Sequence, residues 1–319
     1  MVGQFSTIRH IEDVVIASLE ELATMNRPIK FFNEMKTIAL NVIAKVSLGS
    51  TQDSILWSMV KYYTELSPGI LSMPINIPGF AFHRALKAKK QLVKLTKDEL
   101  DERRRKTVAE RKKGMMDLLM EVENEIGEKL EDEHIIDLLL LILFSGRETA
   151  AHTAMWVRLE LVLEHTSINE EQQAIIKRRP SSQKSLTLTE IKEIEYLPKV
   201  IDESLRRTHY FAFAIYRKVV ADVNINGYTI PKGWKVLVWP TAIYMDHIKQ
   251  RFKGGSFIPF GSGSKTCPGA DLAKLEISIF LHYFLLNYKL EELNPKAPVK
   301  HLHYWRGQLH KGKEIQNSL

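Results

Sequence analysis

Apolar residues recur at steps of three and four from the start of the chain. Ile8, Ile11, Val15, Leu19 and Leu22 fall on one face of a helix. Arg27-Pro28 interrupts the pattern, and a second helix is predicted from 31 to about 46, stopped near Gly49. The segment 73–80 holds Pro74 and Pro78, which forbid a helix, so it reads as an apolar loop. A long basic helix follows, from 83 to about 113. Its charges, among them Lys87, Lys89, Lys90, Arg103, Arg104 and Arg105, have acidic neighbours such as Asp98 and Glu102 within a turn, as a solvated face would. After a short amphipathic stretch at 115–123, one long helix is predicted over 131–164. Its middle, 135–144, is apolar nearly all round and is expected to run through the centre of the protein.

A polar loop at 178–184 and a helix at about 200–207 end the helical part, about 1–210. From Lys218 the period changes. Val223 and Ile225 alternate with polar residues, Asn226-Gly227 signals a hairpin turn, and 228–230 returns. A third strand is predicted over 234–239, which gives a small sheet at about 217–240. A glycine-rich loop, a helix over about 272–288 and an irregular basic tail complete the chain. The predicted fold class is mainly α with a small β-sheet, without internal repeats.

Composition narrows the picture. The 319 residues are 45% hydrophobic and 26% charged, enough for a buried core and against disorder. A net charge of +7 allows a nucleic-acid or anionic-membrane partner, but no aromatic-and-basic recognition motif accompanies it, so no nucleic-acid partner is expected. A lone cysteine cannot form an internal disulfide. No signal peptide is expected, because 1–9 lacks an apolar segment, and the run 138–144 is too short to span a bilayer.

Three motifs carry chemistry. The first is Phe257-Ile-Pro-Phe-Gly-Ser-Gly-Ser-Lys-Thr-Cys-Pro-Gly269. Its glycines let the loop fold tightly against a flat ligand and free backbone N–H groups to face a sulfur. Cys267 stands just before a predicted helix, whose positive end favours a thiolate. A free cysteine is otherwise an inert buried hydrophobe. The second is Ser145-Gly-Arg-Glu-Thr149, an acid and an alcohol on an apolar helix. Burying an unpaired carboxylate is costly, so either Glu148 is salt-bridged at a kink or the pair has a chemical task. The third is Glu203-Ser-Leu-Arg206, whose spacing of three lets carboxylate and guanidinium pair. Alone it would be an ordinary surface salt bridge.

These motifs, in this order, resemble the cytochrome P-450 superfamily. The first resembles its haem-ligand loop, through Phe260, Gly261, Gly263, Cys267 and Gly269; the second its oxygen-activation motif; the third its Glu-x-x-Arg signature. The stretches 72–82, 114–120, 222–239 and 271–288 look more specifically like the plant ent-kaurenoic acid oxidase and beta-amyrin 11-oxidase family. The resemblance implies a single partial cytochrome P-450 domain over 1–319, an incomplete form of that fold, with haem b bound through Cys267 as the iron ligand. Thr149 would hold dioxygen beside the iron, Glu148 would help relay protons, and Glu203 with Arg206 would lock the segment ahead of the haem loop. Arg217 and Lys265 match positions that bind haem propionates. Lysine stands at 265 where arginine is usual, which keeps the charge and loses the planar fork. The implied function is NADPH- and oxygen-dependent oxidation of a polycyclic terpenoid, either ent-kaurenoic acid (gibberellin biosynthesis) or a beta-amyrin-type triterpenoid. Electrons would come from an NADPH-dependent cytochrome reductase at the cytosolic face of the endoplasmic-reticulum membrane.

The chain also departs from the family pattern. Ser145 and Ala150 replace the usual small residue and second hydroxyl. The family's upstream third is expected to be absent, with its membrane anchor, proline-rich hinge and the Trp and Arg of a propionate motif. Only 247–253 bridges the place of the longer meander, and 305–313 replaces a Pro-Arg-Pro tail. A truncated gene model, splice product or pseudogene product would account for this. The alternative reading is thus a non-catalytic remnant that binds haem poorly or acts only through protein partners.

Overall fold

In the computed structural model the described residues are 2–25, 27–49, 52–107, 114–123, 127–161, 165–180, 182–183, 185–208, 216–238, 244, 257–292 and 306–311. Helix α1 (Val2–Thr24) buries the predicted stripe completely: Ile8, Ile11, Val15, Leu19 and Leu22 are all at most 4% exposed. Helix α2 (Phe31–Leu48) ends where Gly49 adopts φ 73°, a conformation that a side chain would resist.

Helix α3 (Asp53–Ile70) has no counterpart in the sequence reading. It fully buries Met59, Tyr63 and Gly69 and half-buries Leu56, Val60 and Leu66, an apolar stripe at helical spacing that the sequence reading passed over, while Trp57 on the other side is 63% exposed. The predicted loop separates α3 from α4 (Ala81–Arg105). The basic helix stops at Arg105 rather than near 113, because Lys106 is extended at φ −81°, ψ 142°; residues 108–113 lie outside the described residues. The two helices meet so closely that a Cβ on Gly69 would overlap that of Ala85 and lie 2.9 Å from the Ala81 carbonyl oxygen. Arg103 secures the far end, donating to Asp117 at 2.8 Å in α5 (Met115–Glu121) and to the Leu48 carbonyl.

Helix α6 (Asp132–Leu161) packs along α2, with Gly146 giving Ile43 room. It buries Ile135, Leu139, Leu143, Ala150, Ala151 and Val157, yet Leu138 is 39% and Leu141 60% exposed. The expected all-round burial is therefore corrected: one face of the apolar middle is open, because no described element covers it. Helices α7 (His165–Arg178) and α8 (Leu188–Glu193) flank the predicted polar loop, and α9 (Tyr196–Arg207) starts earlier than predicted. Glu171 of α7 accepts from the Glu195 and Tyr196 backbone N–H groups at 2.8 and 2.9 Å, satisfying donors that the start of α9 leaves over. Thr187 and Glu190 cap α8 reciprocally.

The sheet is also rearranged. The hairpin holds: β3 (Val223–Ile225) pairs with β4 (Tyr228–Ile230) through Asn226 at φ 51° and Gly227 at φ 86°. The third strand, β5 (Lys235–Leu237), instead pairs with β2 (Tyr216–Lys218), forming a second two-stranded ribbon. The tail expected to be irregular forms β7 (Arg306–Lys311), the middle of a sheet between β1 (Ile29–Lys30) and β6 (Tyr288–Glu292). Its six residues hold one large apolar side chain, Leu309, so only its ladder partners define it.

Helix α10 (Ala270–Asn287) buries Ile277, Ile279, Phe280, Leu281 and Phe284 against α1 and α6. Two apolar clusters result, one around α1, α2, α9 and α10 and one around α2 to α6, with Leu272 packing on both. Among the described residues no helix is long and apolar enough to cross a membrane.

Candidate functional site

The loop 257–269 is held by its own backbone. Cys267 N–H donates to the Phe260 carbonyl at 2.8 Å, Gly261 N–H to Ile258 at 2.9 Å, and Thr266 N–H to Gly263 at 3.1 Å. This doubling-back needs positive φ at two positions, met by Gly261 at 77° and Gly263 at 67°. Cys267 is exposed, three residues before α10, so its sulfur lies at that helix's N-terminal end. Lys274 of α10 stands 5.6 Å from the centre of the half-buried Phe260 ring.

The loop is tied to α9 by a relay that begins with the third motif. Arg206 donates from Nε to Glu203 Oε2 at 2.7 Å and from Nη2 to Oε1 at 2.6 Å. Its Nη1 donates to the Tyr244 carbonyl at 2.6 Å, while Tyr244 Oη accepts from the Ile258 backbone N–H at 3.0 Å. Tyr244 also stacks edge-on against Phe257, and burial raises its pKa. Arg206 is only 7% exposed while Glu203 remains exposed, so the guanidinium and its bond to Tyr244 are buried and the carboxylate end reaches solvent. Lys274 adds a second link from α10 to Asp202 at 2.8 Å. Tyr244 was missed in the sequence, where nothing distinguishes it from other tyrosines. The shortened meander, 247–253, lies outside the described residues.

The acid and the alcohol of the second motif go to different places. Consecutive residues leave a helix about 100° apart. Thr149 is half-buried and its hydroxyl donates to the Ser145 carbonyl at 2.8 Å. Glu148 points into the seam between α6, α2 and α3. Its Oε2 pairs with Lys36 at 2.6 Å, and its Oε1 accepts from Ser67 Oγ at 2.6 Å and from Arg147. Arg147, 2% exposed, also reaches Thr64 Oγ1 at 2.9 Å and Ser67 Oγ at 3.2 Å. Burial lowers the pKa of both Lys36 and Arg147, with the Glu148 carboxylate opposing it. Lys36 went unnoticed because its place on α2 looks solvent-facing, and Thr64 and Ser67 because α3 itself was not predicted. Arg217 in β2 and Lys265 in the loop are both exposed.

The residues present fit a haem. Gly263 and Gly269 have nothing within 4 Å of an added Cβ, so the loop offers bare backbone on its open side. A single thiol at a helix start, with a backbone N–H engaged to fix it, is a donor set for iron whose other equatorial ligands come from a macrocycle.

Comparison with known proteins agrees. The sequence matches the cytochrome P450 family over residues 4–316. It is 51% identical over 316 residues to a 7,8-epoxymelianol synthase of Citrus sinensis, covering 92% of this chain and 64% of that protein. It is 46% identical to the beta-amyrin 11-oxidase of Glycyrrhiza uralensis (92% and 64% covered). Ent-kaurenoic acid oxidase 1 of Arabidopsis thaliana is 40% identical, with 94% and 65% covered. The chain thus spans slightly under two thirds of the length of these relatives. Among solved structures, the retinoic acid bound cyanobacterial CYP120A1 superposes with a TM-score of 0.80 at 21% identity, over 96% of this chain and 74% of that one.

Proposed function

As the chain belongs to the cytochrome P450 family, we propose that it forms the haem-thiolate part of a monooxygenase acting on a polycyclic terpenoid. The family's cofactor is haem iron, and its chemistry is oxidoreduction. The observation that carries the reading for this chain is Cys267, exposed at the start of α10 with its backbone bonded to Phe260. When bound, the haem supplies oxygen activation, which a thiolate ligand assists by pushing electron density toward the iron.

The chain's own residues do the rest. Cys267 ligates the iron; Phe260, Gly261, Gly263 and Gly269 shape the bed beside the thiolate. Lys265 and Arg217 offer exposed cations to haem propionates. The strut Glu203–Arg206–Tyr244 holds the loop from behind. Thr149 presents a hydroxyl on the open face of α6; Glu148, held in the seam by Lys36, Arg147 and Ser67, would have to leave those partners to help relay protons there. Residues 1–319 form a single partial cytochrome P450 domain.

The substrate reading favours a beta-amyrin-type triterpenoid over ent-kaurenoic acid, supported by 46% identity to the beta-amyrin 11-oxidase against 40% and 43% to two ent-kaurenoic acid oxidases. Electrons come from an NADPH-dependent reductase. The proposed site of action is the cytosolic face of the endoplasmic reticulum. One support is the α3–α4 loop, which exposes Leu71 by 79%, Met73 by 76% and Ile77 by 55% beside the lysine-rich α4. A second reading, a non-catalytic chain acting through protein partners, draws on the apolar surface around the ribbons, where Val220 is 81%, Tyr228 78% and Trp234 63% exposed.

Both are tested by adding haem and recording the ferrous–carbon monoxide spectrum, then assaying products from both terpenoids. A thiolate-type band with turnover of the triterpenoid is the expected result. A chain that takes up no haem would refute the enzyme reading in favour of the partner reading.

A further inference from the structure

The polar turn between α7 and α8 follows a run of cations, Lys177-Arg178-Arg179, and carries serines at 181 and 182. Ser181 lies outside the described residues. The Gln183 N–H closes the turn on the Pro180 carbonyl at 2.9 Å, and Ser182 is exposed on it. Both ends of the turn hold the same carboxylate. Arg179 donates from Nε to Glu190 Oε1 at 2.7 Å, and Gln183 donates from Nε2 to Oε2 at 2.7 Å. The two side chains thus meet across the width of one carboxylate. Glu190 does not depend on Arg179 alone, since Oε2 also accepts from the Thr187 backbone N–H at 2.7 Å and from its hydroxyl at 2.9 Å.

Arg179 is the less satisfied member of the pair. Its side chain is 10% exposed, and Nη2 is buried without a hydrogen-bond partner. A charged donor left in that state is costly, so an oxygen brought to it would be held firmly. Lys177 and Arg178, by contrast, are exposed, and Arg178 reaches Glu193 at 4.0 Å. An exposed hydroxyl, exposed cations just ahead of it and a spare guanidinium edge on the same turn fit a phosphoryl group. The cations suit the acidic substrate cleft of a kinase, and the edge offers the finished phosphate a charge-assisted donor.

We propose that Ser182 is a phosphorylation site for an arginine-directed protein kinase, and that Arg179 receives the phosphate on Nη2 while keeping Glu190 on Nε. In the transfer, Ser182 Oγ attacks the γ-phosphorus of ATP. The new O–P bond forms as the bond from that phosphorus to the bridging oxygen breaks; ADP leaves with the electron pair, and the hydroxyl proton passes to the kinase's catalytic carboxylate. The phosphate then ties the turn to a cation whose charge already reaches His282 and Tyr283 of α10. Modification therefore fastens the α7–α8 joint against the helix that starts just after Cys267.

The experiment uses the full chain and needs no haem. In its first arm the chain is incubated with ATP and a calmodulin-dependent-type kinase, which reads an arginine three residues ahead of the serine, and the product is mapped by peptide mass. One phosphoryl group on Ser182, absent from Ser182→Ala, is the expected result. Transfer only to Ser181 or to serines outside the turn would overturn the proposal. In the second arm phosphoserine is installed at 182 by codon suppression, and its phosphorus NMR signal is followed against pH. A solvated phosphoserine takes up its second proton near pH 6. Donation from Arg179 should lower that midpoint by about one pH unit, a tenfold drop in proton affinity, and Arg179→Gln should restore it. If that variant does not fold, Arg179→Lys, which keeps the charge and loses the planar fork, should recover part of the difference. An unshifted midpoint, or a shift that survives both substitutions at Arg179, would overturn the proposal.

Discussion

Acidification should destabilise this protein through one buried histidine. His282 on α10 is 1% exposed, and its Nδ1 donates to Gln172 Oε1 of α7 at 2.6 Å. Burial first, and the nearby Arg179 charge second, push its pKa down from 6.5 to about 4, against a smaller opposing pull from Glu190. The unfolded chain therefore takes up a proton as pH drops through 6.5, while the folded chain does not until about 4. The unfolded state binds more protons in that window, so the contribution is intact above 6.5 and is lost as pH falls toward 4. Between pH 7 and pH 5 the loss amounts to about 2 kcal/mol, taking ~1.4 kcal/mol per unit. Other groups titrate over the same range, so the comparison is with His282→Asn, which keeps a donor near the Nδ1 position and removes the titration. Urea unfolding at several pH values should show wild type losing about 2 kcal/mol more than the variant on going from pH 7 to pH 5. Parallel stability curves for the two proteins would refute the reasoning, since they would mean that His282 is free to protonate in the folded state.

Other expectations concern the site and the helix hairpin. Cys267→Ala should abolish the thiolate-type carbon monoxide band in any preparation that folds, since the sequence holds no second cysteine. Thr149→Ala should lower the product-to-oxygen ratio at unchanged haem content, because the lost hydroxyl only back-bonds to Ser145 and the helix ladder stays intact. Gly69→Ala should cost about 1–3 kcal/mol in urea unfolding, as overpacking does, since the new methyl would overlap Ala85.

What the sequence by itself determined is local or chemical. The stripe on α1, the hairpin turn at Asn226-Gly227 and the loop around Cys267 each depend on short-range rules: helical period, positive φ, a glycine-rich bend. The first two motifs were legible because their residue types are improbable in those settings, and the third only through its order with them. An acid on an apolar helix or a lone cysteine amid glycines stands out without coordinates. Tertiary structure alone decided the rest. Strand β7 has one large apolar side chain and no periodic signal, and it exists because β6 and β1 lie beside it. The same holds for the polar contacts that matter most. Ser67 meets Glu148 across 81 residues and Arg206 meets Tyr244 across 38, so their bonds are invisible to any local pattern. A buried charge must find a partner, and the sequence announces that need in Glu148. Which side chains answer it depends on which helices pack together, a choice made by the apolar faces of α2, α3 and α6 rather than by the polar residues they bring into contact.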